Sequence, residues 1–335
     1  MISENRFNEV LSNFEKIKPI MVVGDVGVDK YTKGEVTRIS PEAPVPVLNV
    51  AKEWMKLGLA ANVSDNLSSL GVASTLCGVI GEDSNATTFE NLLEEINVKT
   101  WGIIRDKSRM TTFKERIVTE VQQICRVDYE SNHPIDEDTY KRMEDRFLEF
   151  KDQHSAIILE DYGKGFVDER VCSYLTTHCN ELNIELSVDP SRTTPPLWYK
   201  GAHLLKPNRI EALLMSQALG YNEKDIETIA KLLIDKLELK KIIITLGADG
   251  MGMIDTTLDG KFHKIPTVAN EVFDVSGAGD TAISTVVASL VSGATLEEAA
   301  WIGNCASGVV VSKKGTALVN QEELKAFFKR FVQNA

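Results

Sequence analysis

Asp274-Val275-Ser276-Gly277-Ala278-Gly279-Asp280-Thr281 lies near the C-terminal end of a 335-residue chain and joins two segments of different character. Residues 264–273 read as extended. Residues 282–290, Ala-Ile-Ser-Thr-Val-Val-Ala-Ser-Leu, are small and apolar and predict a buried helix. The two glycines therefore sit where a loop becomes a helix. The first amides of a helix have no partner inside it, and its dipole favours negative charge there. Gly277 and Gly279 place no side chain in the path of an anion approaching those amides. Asp280 follows at once, and a carboxylate beside an anion nest repels the anion unless it has a task of its own. Taking the proton of an attacking hydroxyl, while the amides steady a phosphoryl group in transfer, is such a task. The competing reading is a plain turn with a carboxylate at a helix start.

Working back from that stretch, the chain alternates strand and helix. Pro19-Ile-Met-Val-Val-Gly-Asp25 is a short apolar run that reads as a fully buried strand ending in an acid. From residue 135 onward the pattern repeats: strands at 155–159, 184–188, 202–205, 241–245 and 251–254, with helices at 136–151, 167–182, 209–219 and 223–237 between or before them. This argues for a mainly parallel sheet covered by helices, an α/β fold. Asp29, Lys164, Asp189, Asn208, Glu211 and Asp280 mostly follow strands, and one such sheet brings many of them to its C-terminal edge. Two patches interrupt the body. Residues 30–56 and 100–128 are rich in strand formers, and Pro41, Pro44 and Pro46 belong on sheet edges. We read the patches together as one small β lid on a single domain spanning 1–335.

Bulk properties narrow the function. A net charge of −12 argues against a nucleic-acid or anionic-membrane surface. No run is long enough to cross a bilayer, and the N-terminus carries no secretory pattern, so a cytoplasmic protein is expected. Five cysteines at 77, 125, 172, 179 and 305 fit reduced thiols. There is no Gly-x4-Gly-Lys-Ser/Thr loop and no Gly-x-Ser-x-Gly elbow. The five histidines have no metal-site spacing; His178 beside Cys172 and Cys179 reads as a helix face.

Together the motifs resemble the ribokinase-like (PfkB) carbohydrate kinases. The resemblance rests on Asp274 to Thr281, on Gly58-Leu-Ala-Ala-Asn62-Val63, on Lys206-Pro-Asn208-Arg-Ile-Glu211 and on Thr245-Leu-Gly-Ala-Asp-Gly250, in that family's order. Arg38-Ile-Ser-Pro-Glu-Ala-Pro-Val-Pro-Val47, Gln122-Gln-Ile-Cys-Arg126-Val-Asp128 and Asp161-Tyr-Gly-Lys164-Gly165 resemble more closely the kinase domains of ADP-heptose synthesis. These phosphorylate D-glycero-D-manno-heptose 7-phosphate at O1, in supply of lipopolysaccharide precursors. Two features depart from the pattern. Leu59 stands where that family usually has a second glycine, and the sequence ends at Ala335 without the nucleotidyltransferase domain of bifunctional versions, so either a kinase alone or the kinase part cut from a longer chain is expected.

The resemblance implies a ribokinase-like fold and a set of roles. Asp280 is the general base, and Gly277, Ala278 and Gly279 offer amides to the phosphoryl group. Asp29, Asn62 and Gly58 hold the sugar, with Lys164 reaching into the same site. Arg38, Arg116 and Arg126 are candidates for the sugar's own phosphate; their alternative is strand-edge charge on the lid. Asn208 and Glu211 organise Mg²⁺, mostly through water. Thr245, Gly247 and Gly250 line ATP, and Asn304 flanks the adenine. Asp274, with the Lys314-Gly315-Thr316 loop, holds a monovalent cation such as K⁺. A homodimer clasped through the lid is expected, since an apolar sheet otherwise leaves exposed edges. The alternatives are a PfkB-type kinase of another sugar or nucleoside, and a non-catalytic binding protein of the same fold.

Overall fold

The computed structural model describes residues 2–269, 272–313, 315 and 317–334. Among the described residues the strands are β1 (Ile20–Gly24), β2 (Val26–Ile39), β3 (Pro46–Leu59), β4 (Ser74–Ile80), β5 (Ile103–Arg105), β6 (Thr112–Val118), β7 (Gln123–Tyr129), β8 (Ala156–Glu160), β9 (Glu185–Asp189), β10 (Leu204–Leu205), β11 (Lys241–Thr245), β12 (Met251–Asp255) and β13 (His263–Ile265). They form two sheets.

The larger sheet runs β13-β12-β11-β10-β9-β8-β1-β4-β5. Its strands are parallel from β11 to β5, and β12 and β13 are antiparallel. Every residue of β1 is buried, as the unbroken apolar run predicts for a strand covered on both faces. Ile20 and Val22 join one apolar cluster, Met21 and Val23 the other, because side chains alternate between the faces of a strand. Helices Ala60–Ser69, Ala278–Val291 and Leu296–Val311 contribute to the first cluster. Helices Glu169–Leu182 and Ile226–Leu237 contribute to the second. This is the expected α/β body.

The smaller sheet runs β3-β2-β6-β7 and is antiparallel except for the β2–β6 pair. Its boundaries differ from those expected. It begins at Val26, directly after Asp25, and its first pair extends to Leu59. Residues 40–45 form the connection between β2 and β3, with Pro41 and Pro44 in it and Pro46 opening β3. Ile103–Arg105 does not belong to this sheet: it pairs with β4 as the outer strand of the body, and its Ile104 packs in the second apolar cluster. Burying Ile104 there outweighs any pairing with the exposed ribbon.

Leu59 is the point of strain. Its backbone stands at φ 58° and ψ −138° at the start of helix Ala60–Ser69, a region that costs an L-residue on the order of 1–3 kcal/mol. Its side chain is buried but belongs to neither apolar cluster. The glycine expected at this position has no such cost.

Candidate active site

Parallel strands place their C-terminal ends on one edge, and the polar residues gather there. Glu160 ends β8, Asp189 ends β9, Lys206 follows β10, and Thr245 at the end of β11 bridges to Asn208. Asp280 reaches this edge from the first turn of helix Ala278–Val291, whose start is set by Gly277 at φ 80°. Two side chains hold its carboxylate. Tyr162 donates its hydroxyl to Oδ1 at 2.7 Å, and Asn62 donates its amide to Oδ2 at 2.5 Å. Asn62 sits in the first turn of helix Ala60–Ser69, which is fixed to the Asp280 helix by a 2.7 Å hydrogen bond from Thr281 to Asn66.

The loop bearing Tyr162 is held by Asp25. That buried carboxylate accepts the backbone N–H groups of Tyr162 at 3.0 Å, Lys164 at 2.9 Å and Phe166 at 3.1 Å. Burial, followed by the charge of Asp161, pushes the Asp25 carboxyl up to about 6. Asp25, like Tyr162, is absent from the residues singled out by sequence reasoning as site residues. The strand-end acid is visible in the sequence; its three amide partners are more than 130 positions away.

Behind Asp280 lies a polar floor. One oxygen each of Glu160, Asp189 and Asp280 lie within 4.8 Å of one another. Lys206 is almost fully buried and pairs with Asp189 at 2.7 Å. Burial pulls its ammonium down, but Asp189, with the nearby Glu160 and Glu211, more than compensates, so Lys206 stays charged. Burial, then the charges of Asp189 and Asp280, push the Glu160 carboxyl well above its usual range, which favours the neutral acid. Asp280 is pushed up to about 6, by burial first; its hydrogen bonds from Asn62 and Tyr162 oppose that shift. At neutral pH it is ionised and partly open to solvent, as a proton acceptor must be.

The other expected residues divide by position. Asp29 faces Gly58 and pairs with Arg116 at 2.7 Å. Lys164 pairs with Glu130 at 2.8 Å, and Arg126 with Asp128 at 2.8 Å. Arg116 and Arg126 stand opposite each other on β6 and β7. Arg38 is not brought to the cleft of its own chain. It is exposed at the far end of β2, roughly 30 Å along the strand from Asp29 at about 3.3 Å per residue.

The Ala278 amide, expected to face the phosphoryl group, instead turns back to the Val275 carbonyl at 3.2 Å, while Gly279 is exposed in the first turn of the helix, where a Cβ would lie 3.8 Å from the Lys206 ammonium and 3.9 Å from Asp189. At the turn expected to line a nucleotide, Gly247 opens a short helical turn and Gly250 closes it at φ 86°, where a Cβ would meet the Ile265 carbonyl at 2.0 Å. Asn208 and Glu211 form a capping box: Asn208 Oδ1 accepts the amides of Ile210 and Glu211, and Glu211 Oε2 accepts the Asn208 amide at 2.8 Å. Asn304 is buried and donates to the Pro266 carbonyl at 2.7 Å, which fixes the segment before the active-site loop. Asp274 accepts the Ser276 amide at 2.9 Å. Lys314 and Thr316 of the expected cation loop lie outside the described residues. No helix among the described residues is long and apolar enough to cross a membrane.

Comparison with known proteins agrees with this geometry. The model of the pfkB family carbohydrate kinases matches residues 26–323. The chain is 39% identical over 308 residues to the bifunctional protein HldE of Wolinella succinogenes, covering 92% of this chain and 64% of that one. It is 39% identical over 320 residues to the bifunctional protein HldE of Citrifermentans bemidjiense, covering 95% and 65%. The chain thus spans just under two thirds of the length of these relatives. Among solved structures it resembles phosphofructokinase-2 from Escherichia coli in complex with substrates and products, with a TM-score of 0.75 at 17% identity, covering 94% of this chain and 100% of that one. It also resembles ribokinase from Thermotoga maritima, with a TM-score of 0.72 at 19% identity, covering 93% and 99%. At these identities the likeness speaks for the fold.

Proposed function

The chain belongs to the pfkB family of carbohydrate kinases, and from that premise we propose that it transfers the γ-phosphoryl group of ATP to O1 of D-glycero-D-manno-heptose 7-phosphate, with Asp280 as general base. The observation that carries the reading is the Asp280 carboxylate itself. It stands at a helix start, partly open to solvent, held by Tyr162 and Asn62. An acceptor hydroxyl that replaces the Asn62 amide at Oδ2 gives its proton to Asp280 as its oxygen attacks the γ-phosphorus, and the bond from that phosphorus to the β–γ bridging oxygen breaks to release ADP. The helix start and Lys206 then lie near the charge that develops on the transferring group. The heptose assignment draws on the sequence resemblance and on the likeness to the HldE proteins.

Mg²⁺ fits the oxygen donors present. Glu211, pushed up by burial and close to Asp189, and the side chain of Asn208 would hold it, largely through its own waters. When bound, the ion neutralises phosphate charge. Thr245, Gly247 and Gly250 would line the nucleotide, with Asn304 shaping that wall through Pro266; Asp274 would take part in a K⁺ site. Leu59 favours a second reading, a kinase of this family acting on a different sugar, because its strained backbone opens the helix that carries Asn62.

ATP consumption with heptose 7-phosphate, beside a panel of sugars and sugar phosphates, tests the assignment. Turnover of the heptose phosphate well above the panel is expected. Preferred turnover of another sugar would move the acceptor and keep the kinase.

We further propose a cytoplasmic homodimer joined through the smaller sheet. β6 ends at Val118 opposite Lys33, so residues 34–39 of β2 pair with β3 alone and present an open edge. Ile39, Val45 and Val50 are at least half exposed on this ribbon, and such an edge invites pairing with a second copy. Sedimentation at micromolar concentration should give the dimer mass; a single monomer species would refute it.

A further inference from the structure

Asp280 has two oxygens and two donors, and taking a proton requires one oxygen to be given up. Asn62 donates to Oδ2 from the first turn of helix Ala60–Ser69, and Tyr162 donates to Oδ1 from the loop after β8. That loop is clamped on both sides. The backbone N–H groups of Tyr162, Lys164 and Phe166 converge on Asp25. The Gly163 N–H goes to Asp161 at 2.7 Å, and the second oxygen of Asp161 accepts the hydroxyls of Thr194 and Tyr199, each at 2.6 Å. The Lys114 ammonium covers the Tyr162 ring, 6.0 Å from its centre. An anchored backbone and a packed ring thus deliver the phenol to Oδ1.

The phenol also keeps its proton. Burial, then the charges of Asp280, Glu160 and Asp189, push its ionisation well above the ordinary range. A donor that stays protonated favours the charged form of the acid it faces. Burial is the main cause that raises Asp280, to about 6, and Asp189 adds to it; Asn62, Tyr162 and the Lys206 ammonium oppose the rise. Glu160, the other acid of this floor, favours its neutral form. Asn62 leaves when an acceptor hydroxyl takes its place at Oδ2. Tyr162 is the hydrogen-bond donor that remains on Asp280.

We infer that Tyr162 is a positioning residue for the base: its hydroxyl holds Oδ1 of Asp280 throughout turnover, keeps the carboxylate ionised, and leaves Oδ2 as the atom that takes the acceptor's proton. The inference deepens the kinase reading and rests on it for the origin of that proton. The hold on Asp280 itself is a property of the ligand-free chain.

An infrared pH titration of the ligand-free full chain reads that hold without any substrate. Asp25 titrates in the same range, so the Asp280 carboxyl band is identified as the one missing from Asp280→Asn. In the original chain it should titrate at about 6. Loss of a donor disfavours the charged form. In Tyr162→Phe, which keeps the ring, the midpoint should therefore rise by about one pH unit, the worth of one hydrogen bond to a charged group. Steady state with the sugar phosphate that turns over separates the two oxygens. The acid limb of kcat reports the bound complex. It should rise by about the same amount in Tyr162→Phe and stay in place in Asn62→Ala, because the acceptor has already displaced that amide. Both readouts are midpoints, so a smaller folded fraction in either variant leaves them unchanged. A carboxyl midpoint that Tyr162→Phe does not move overturns the inference. So does a kcat limb that Asn62→Ala moves as far as Tyr162→Phe does. A moved carboxyl midpoint in a chain that phosphorylates no sugar of the panel supports the hold on Asp280 and overturns the kinase reading alone.

Discussion

Asp280→Asn should lower kcat by roughly 10²–10⁴, the usual contribution of a positioned general base, with little change in the affinity for ATP. The substitution is suited to the site because it keeps shape. The Tyr162 hydroxyl and the Asn62 amide can each exchange donor for acceptor, so both contacts at Asp280 can be remade. The loss is therefore of basicity rather than of fold, and an unchanged unfolding midpoint would show it. The pH profile separates the base from a merely structural carboxylate. Asp280 titrates at about 6. Below that value it is protonated and cannot accept the acceptor's proton, so kcat/KM of the original chain should fall about tenfold per pH unit on the acid side. In Asp280→Asn this limb should be absent from the residual rate. Activity within a few-fold of the original chain, or an acid limb that survives the substitution, would remove Asp280 from the role of base.

The parts of this site that could be read from the chain are those with local causes. The buried strand Ile20–Gly24, the strand–helix alternation and the glycine-bounded start of helix Ala278–Val291 each follow from adjacent residues. The parts that could not be read depend on distant partners. Tyr162 meets Asp280 across 118 positions, and nothing near either residue announces the other. Ile103–Arg105 has the composition of a ribbon strand, yet the burial of Ile104 assigns it to the main sheet. Arg38 sits in a distinctive sequence, but its reach is fixed by the length of β2, which composition does not report. Asn208 and Glu211 show a different difficulty. Their spacing serves a capping box and a metal-binding role equally well, and the capping box is the one formed by the chain's own atoms.

Asp25→Ala should be the most damaging substitution to the fold near the site, costing roughly 3–5 kcal/mol in urea unfolding at pH 7 and abolishing turnover. Three backbone N–H groups, of Tyr162, Lys164 and Phe166, converge on this one carboxylate. Each buried donor left without a partner costs about 1–3 kcal/mol, less where water can enter. The loop they belong to carries both Tyr162, which holds Asp280, and Lys164, which pairs with Glu130. Asp25→Asn should cost about half as much. Its amide oxygen can still accept two of the three N–H groups, and its NH₂ faces the third. Sign is decided by the raised pKa. Asp25 titrates near 6 in the folded chain against 3.8 for the free group, so folding takes up a proton between those values. The part of its contribution to stability that comes from this proton uptake is fully present below about 4 and is lost as pH rises through 6, while the three N–H bonds to the carboxylate persist at pH 7. The original chain should therefore show a downward slope of stability across that window, and Asp25→Asn a shallower one. An alanine variant within about 1 kcal/mol of the original, with the slope unchanged, would mean that the loop is held by something other than Asp25.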